Sequence, residues 1–355
     1  MASEALAPGG RIGILGGGQL ARMLAMAAAR LGMHTHVFEP ADEPCAAQVA
    51  DAWTQAGYDD AGALAAFARS VEVVTYEFEN VPLAAVDAVA PHAPVRPGRR
   101  ALEVAQDRVA EKDFLTGIGL ATAPYAAVDD EAGLAAALAR LGTPAILKTR
   151  RLGYDGKGQV RVADVGETAA AWASVGRAPS VLEGFVPFER EISVIAARGM
   201  DGTVAAFDPG ENQHRDGILH STTVPARVPA ARAQDAVLIA GRILNALDYV
   251  GVIGVELFVT PGGLLVNEIA PRVHNSGHWT EAACLVDQFE QHVRAVCGWP
   301  LGDGGRHSDA VMENLLGDEV FRGPAPGDVR VQLYGKPEAR PGRKMGHLTR
   351  ISPKS

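Results

Sequence analysis

Between residues 11 and 80 the chain alternates short apolar runs with longer alanine-rich segments. RIGIL (11–15), HTHVFEP (34–40) and VEVVTYEFEN (71–80) carry the β-branched and aromatic density of strands. GQLARMLAMAAARLG (18–32) and DAGALAAFARSV (60–71) repeat apolar residues at helical spacing, the first closing on Gly32. Strands separated by helices predict a parallel sheet covered on both faces. HAPVRPGRR (92–100) punctuates this pattern as a domain boundary. EVAQDRVAEKDFLTGIG (103–119) then reads as one helix ending at Gly117 or Gly119.

Farther on the period shortens. PAILKTRRLGYDGKGQVRVAD (144–164) reads as strand, glycine-rich loop and strand. SVLEGFVPFEREISVIAARG (180–199) and TVAAFDPGENQHR (203–215) read as strands of an antiparallel sheet. ARAQDAVLIAGRILNALDY (231–249) is a strongly amphipathic helix. GVIGVELFVTPGGLLVNEIAPR (251–272) is a hairpin about Pro261-Gly262-Gly263. The tail holds the short strands DVRVQLYG (328–335) and KMGHLTRI (344–351).

Composition narrows the function classes. A chain of 355 residues exceeds one ordinary core, so two or three domains are expected. The net charge of -9 argues against nucleic acid as the main partner. Three separated cysteines, Cys45, Cys284 and Cys297, offer neither a zinc pattern nor a disulfide framework, and suit a reducing cytoplasm. The start MASEALAPGG lacks the features of a signal peptide, and no apolar window is long enough for a membrane span.

Three constellations carry the chemistry. Gly16, Gly18 and Ala21 fit the G-x-G-x-x-A turn of dinucleotide-binding domains, and Glu39 stands where a ribose-binding acid would. A nicotinamide dehydrogenase is therefore one reading, although any strand-to-helix turn of this kind offers backbone N–H groups to an anion. The second loop, residues 153–159, lies between strands and lacks the Ser or Thr after Lys157 that a Walker loop has. A mobile glycine-rich hairpin with Lys157 at its tip, and Lys148 on the strand before it, suits nucleotide phosphates. Third, the hairpin puts Glu256 and Glu268 on paired strands, with Asn267 alongside. Two carboxylates and an amide oxygen make a hard-oxygen site for Mg2+.

Taken together, GYDGKGQ (153–159), the NEIAPR hairpin (267–272) and HNSGHWTEAACLVDQFEQHVRAV (274–296) resemble the ATP-grasp superfamily. Within it the chain resembles the 5-(carboxyamino)imidazole ribonucleotide synthases, through GILGGGQLARM, TYEFENV, QDRVAEKDFL, TAPY, APRVHNSGHWT and RPGRKMGHLT. Val273 stands where that family usually has proline. The resemblance implies an α/β protein of three parts: an N-terminal Rossmann-like (pre-ATP-grasp) domain over 1–105, a central ATP-grasp fold of two α+β lobes over 106–299, and a small C-terminal β-rich domain over 300–355. It also implies carboxylation of 5-aminoimidazole ribonucleotide with ATP, Mg2+ (two ions) and bicarbonate, in a cytoplasmic homodimer.

Residue roles follow from the same resemblance. Arg108 and Lys148 would bind ATP phosphates, with Gly153, Tyr154, Asp155, Gly156, Lys157, Gly158 and Gln159 as the flap. Glu183, Gly184, Phe185 and Val186 would border adenine, Glu191 the ribose, and His214 the nucleotide. Glu256 and Glu268 would hold the metal with help from Asn267, and Arg272 would stabilise carboxyphosphate. The turn at Gly16–Gly18 would take the ribonucleotide phosphate through the backbone of Gln19 and Leu20, with Glu77 orienting the aminoimidazole. Asp155 and Tyr154 would reach the substrate amine; His274, Asn275 and Ser276 would line its side. Lys336, Arg343 and Lys344 would close on the phosphate. Another ATP-grasp ligase, or a nucleotide-sensing scaffold, are the remaining readings.

Overall fold

The computed structural model describes residues 5–153, 156–322 and 327–355. The first sheet is parallel and four-stranded: β1 (Arg11–Leu15), β2 (His34–Phe38), β3 (Ala52–Thr54) and β4 (Val73–Tyr76), in the order β3-β2-β1-β4. Helix Gln19–Arg30 follows β1, and Gly32 closes its end with φ 72°. Asp60 caps helix Ala61–Arg69 by accepting from the N–H of Ala63.

The helix expected over 103–119 is two. Arg99–Ala105 ends before Asp107, whose carboxylate accepts from the N–H groups of Val109 and Ala110 and starts Arg108–Gly117. Arg150 anchors that aspartate through an ion pair of 2.9 Å. The cap wins over continued helix because it satisfies two otherwise unpaired N–H groups.

A second sheet holds β5 (Tyr125–Val128), β6 (Ala145–Thr149), β7 (Gln159–Val162) and β8 (Ser180–Gly184), antiparallel in the order β5-β8-β6-β7. Helices Glu131–Leu141 and Thr168–Ser174 bury Leu134, Leu138 and Trp172 against it. The third sheet has nine strands: β9 (Arg190–Arg198), β10 (Val204–Ala206), β11 (Gly210–Arg215), β12 (Ile218–Val224), β13 (Gly251–Thr260), β14 (Gly263–Ala270), β15 (Ser308–Leu316), β16 (Val329–Leu333) and β17 (Lys344–Pro353). Its order is β14-β13-β9-β11-β12-β15-β17-β16, with β10 beside β9. The run 180–199 therefore divides between two sheets, with Pro187 in the crossing. The C-terminal strands extend the central sheet through the pairing of β12 with β15.

One core spans the first and last parts of the chain: Leu24 and Ala28 of the first long helix pack with Phe207, Trp279, Phe289 and Tyr334. Burial of each large apolar side chain there is worth about 1.5–3 kcal/mol. That shared core fixes the glycine turn relative to the loop after β14. Among the described residues no helix is long and apolar enough to cross a membrane.

Candidate active site

A cavity of about 650 Å3 opens where the three sheets meet. The metal hairpin forms one wall. Glu256 of β13 pairs in register with Glu268 of β14, as the sequence predicts, while Leu257 pairs with Val266. Asn267 is therefore the extra residue of a β-bulge, a device that re-aims side chains. Glu256, Asn267 and Glu268 all reach the cavity, and Asn267 Oδ1 is buried without a hydrogen-bond partner. Burial, with Glu268 and Glu191 nearby, pushes the Glu256 carboxyl well above its usual range; burial, helped by Glu268 and opposed by a hydrogen bond from Asn212, raises Glu191 to about 7. Among the described residues no three His, Cys, Asp or Glu side chains form a metal cluster. The donor set that fits a hard cation is thus two carboxylates and one orphaned amide oxygen.

Cations face this wall. Arg108 donates to Glu268 Oε2 at 3.1 Å and to the carbonyl of Gly153 at 3.2 Å. Lys148 pairs with Glu183 at 2.9 Å, and Lys112, almost fully buried, pairs with the other oxygen of the same carboxylate at 3.0 Å. Burial raises the Glu183 carboxyl, but the two lysines more than reverse this and hold it near 2. Glu183, Gly184, Phe185 and Val186 line the cavity, as do Glu191 and His214, 3.4 Å apart. Phe188 stacks on Phe258 at 4.5 Å, giving an apolar slot beside them. Gly153, Gly156, Lys157 and Gln159 also line it; Gly158, held by Thr149 through its carbonyl, lies behind. Tyr154 and Asp155 lie outside the described residues.

The acceptor side differs from expectation at several places. The Glu77 carboxylate accepts from the N–H groups of Gly18 (2.6 Å), Leu20 (3.2 Å) and Ala21 (3.1 Å). The amide of Leu20 is thus engaged by the protein's own anion, which corrects its expected role toward a phosphate; Glu77 braces the turn while both it and Leu20 still line the cavity. A Cβ on Gly18 would stand 2.5 Å from that carboxylate, so the contact requires glycine. A pyrophosphate would meet a carboxylate here, which removes the physical basis of the dehydrogenase reading. Gln19 still faces the cavity. Second, Ser276 is buried, bonded to Ser193 at 2.7 Å and to His274 Nδ1 at 2.8 Å; it holds His274 from behind and does not line the site. Third, Arg343 points away, donating to the carbonyl of Glu338.

Arg272, His274, Asn275 and Lys344 do reach the cavity. Asn275 exchanges two amide hydrogen bonds with Asn314 of β15, of 2.9 and 2.7 Å. Burial, then Arg272, lowers the His274 imidazole to about 3, so it is neutral at pH 7. His274 packs so closely on β13 that a Cβ on Gly254 would stand 2.7 Å from its own Cβ. Lys336, outside the cavity lining, donates to the Lys344 carbonyl at 2.7 Å; burial and Arg343 bring it down to about 8. Val273 is fully buried, and its carbonyl accepts from Arg272 at 3.1 Å.

The chain is similar to known proteins along nearly its whole length. Residues 10–106 match the ribonucleotide synthetase preATP-grasp domain, 113–289 the ATP-grasp domain, and 310–355 the phosphoribosylaminoimidazole carboxylase C-terminal domain. The chain is 57% identical over 361 residues to an N5-carboxyaminoimidazole ribonucleotide synthase of Brucella melitensis, with 100% of each covered. The chain belongs to the N5-carboxyaminoimidazole ribonucleotide synthase family. A solved N5-carboxyaminoimidazole ribonucleotide synthetase in complex with ADP superposes with a TM-score of 0.94 at 40% identity, over 99% of this chain and 94% of the other. An N5-carboxyaminoimidazole synthase of Aspergillus clavatus, in complex with ADP and 5-aminoimidazole ribonucleotide, superposes with a TM-score of 0.90 at 30% identity, over 98% and 94%. The three-part α/β architecture expected from the sequence is that of this family.

Sequence reasoning passed over several cavity residues. Glu79 pairs with Arg272 at 2.5 Å; burial raises its carboxyl, and the guanidinium brings it down to about 2. It stands two residues beyond Glu77 in the bend and turn that follow β4, where no period marks it. Glu111 and Lys112 lie three and four residues after Arg108, on one helix face.

Proposed function

We propose that this ATP-grasp ligase carboxylates the exocyclic amine of 5-aminoimidazole ribonucleotide, using ATP and bicarbonate, to give the N5-carboxyaminoimidazole ribonucleotide of purine biosynthesis. The observation that carries the reading is that one cavity takes its walls from the glycine turn, both sheets of the central part, and Lys344 of the tail. A nucleotide and an acceptor placed in it share one volume, which a transfer through a labile intermediate requires.

A bicarbonate oxygen attacks the terminal phosphorus of ATP and ADP leaves, giving carboxyphosphate. The amine nitrogen then attacks carbon, either of carboxyphosphate itself or of the CO2 it releases in the cavity; phosphate departs with the C–O electrons and takes up the amine proton. Lys148 and Arg108 bind and orient the phosphates; Phe185, Phe188 and Phe258 flank the purine. Arg272, fixed by Glu79, supplies a constant positive charge to the carboxyphosphate oxygens. Glu256, Glu268 and Asn267 would hold Mg2+ (two ions), which when bound neutralises charge on the transferring phosphoryl group. Neutral His274 and Asn275 border the acceptor, Lys344 offers charge to its phosphate, and Lys336, bonded to the Lys344 carbonyl behind the lining, adds charge there. Three buried free thiols suit a reducing cytoplasm, and a homodimer completes the reading, with light scattering as its check.

The test is ADP release from Mg·ATP with and without the ribonucleotide. Strong stimulation by the ribonucleotide is expected. Stimulation by glycinamide-type or biotin acceptors instead would transfer the chain to another ATP-grasp activity.

A further inference from the structure

The bulge at Asn267 lies on an edge. β14 ends the nine-stranded sheet; on its side away from β13 the backbone of Ala121 and Thr122 meets it at Val266, whose N–H donates to the Ala121 carbonyl at 2.8 Å. A bulge in an edge strand leaves N–H and C=O groups that either find partners or let the segment drift. Beyond Val266, at the bulge itself, the partners come from side chains of helix Arg108–Gly117. Glu111 Oε1 accepts from the N–H of Ile269 at 2.7 Å, and Lys112 Nζ reaches the carbonyl of Asn267 at 3.5 Å. Arg108 holds the Glu268 carboxylate between them. Positions 108, 111 and 112 share one helix face, so a single rigid element addresses three successive residues of the strand. Both Glu111 and Lys112 are buried, 3% and 1% exposed, which shields these contacts from water.

We propose that Glu111 is a positioning residue: by holding the Ile269 amide it sets where Asn267 Oδ1 and the Glu268 carboxylate stand toward the nucleotide's cation. This rests on the reading that those two residues face Mg2+. The task needs an acceptor of glutamate's length and no particular charge, so Glu111→Gln retains it and Glu111→Met, equally long, loses it.

Two measurements on the full chain test the assignment. Hydrogen–deuterium exchange in the ligand-free protein reads the Ile269 amide directly. Equilibrium binding of ADP, with Mg2+ and with EDTA, reads the cation's contribution apart from turnover. For Glu111→Met, Ile269 exchanges faster and the Kd for ADP with Mg2+ rises about tenfold, while the Kd in EDTA stays within about twofold. Glu111→Gln restores both. Unchanged Mg2+ dependence in Glu111→Met, or equal losses with and without Mg2+, overturns the assignment. If the methionine variant does not fold, Glu111→Gln alone decides: lost protection at Ile269 in that folded variant overturns it, and kept protection with kept Mg2+ dependence supports it. Failure of the cation reading shows separately, as ADP affinity in the unaltered protein that ignores Mg2+; that result also removes the proposed role.

Discussion

Glu183→Gln isolates the electrostatics at the centre of the nucleotide wall. The substitution keeps the side chain's shape and deletes the charge that two lysines share, at 2.9 and 3.0 Å. Burial raises this carboxyl, yet Lys148 and Lys112 hold it near 2 against an ordinary 4.5. That displacement corresponds to about 3 kcal/mol of favourable interaction with the charged form. An independent estimate agrees, since removing one partner of a buried ion pair costs about 3–5 kcal/mol. With Lys112 only 1% exposed, water cannot replace the lost partner there. Chemical denaturation of the ligand-free protein at pH 7 is expected to show a loss of about 3 kcal/mol in the transition that reports this part of the chain. The sign with pH follows from the depressed value. The stabilisation is complete above the unfolded value near 4.5 and is lost as pH falls toward 2, so parent and variant converge in acid. A loss under about 1 kcal/mol at pH 7, or a gap that does not narrow in acid, would refute the reasoning.

Other expectations concern the site more directly. Glu268→Gln should abolish ADP release while leaving the thermal midpoint close to the parent's; normal turnover would remove Glu268 from the cation site. Lys336→Ala should raise the KM for the ribonucleotide. Because Lys336 is brought down to about 8, the parent's KM should itself climb above that pH, and the variant should lose this limb of the profile. Gly254→Ala drives a Cβ toward that of His274 and should destabilise the fold by about 1–3 kcal/mol, with a lowered kcat. An unaltered melting curve and kcat would show that the His274 loop yields freely.

Much of this was legible in the chain because it is local. The hairpin that pairs Glu256 with Glu268 is fixed by eleven intervening positions and a Pro-Gly turn, so periodicity alone found it. The strand, turn and helix at 11–30 were equally plain. What escaped is what closes over distance. Glu77 fills a turn 59 positions earlier, and Glu79 meets Arg272 across 193. Nothing in local spacing selects those partners. β15 escaped for another reason: its inward face alternates Ala310 and Met312 with Asn314, whose amide is satisfied by two distant partners, Asn275 and the carbonyl of Leu219. The break at Asp107 was readable, since an aspartate before a helical run is a cap signal, but the continuing apolar period masked it.

The most direct test of the account follows labelled bicarbonate and ADP in the same reaction with 5-aminoimidazole ribonucleotide. The account predicts acid-labile label appearing in the ribonucleotide product in step with ADP, one for one, and neither forming at speed without the acceptor. ADP produced at full rate with no label captured would contradict it.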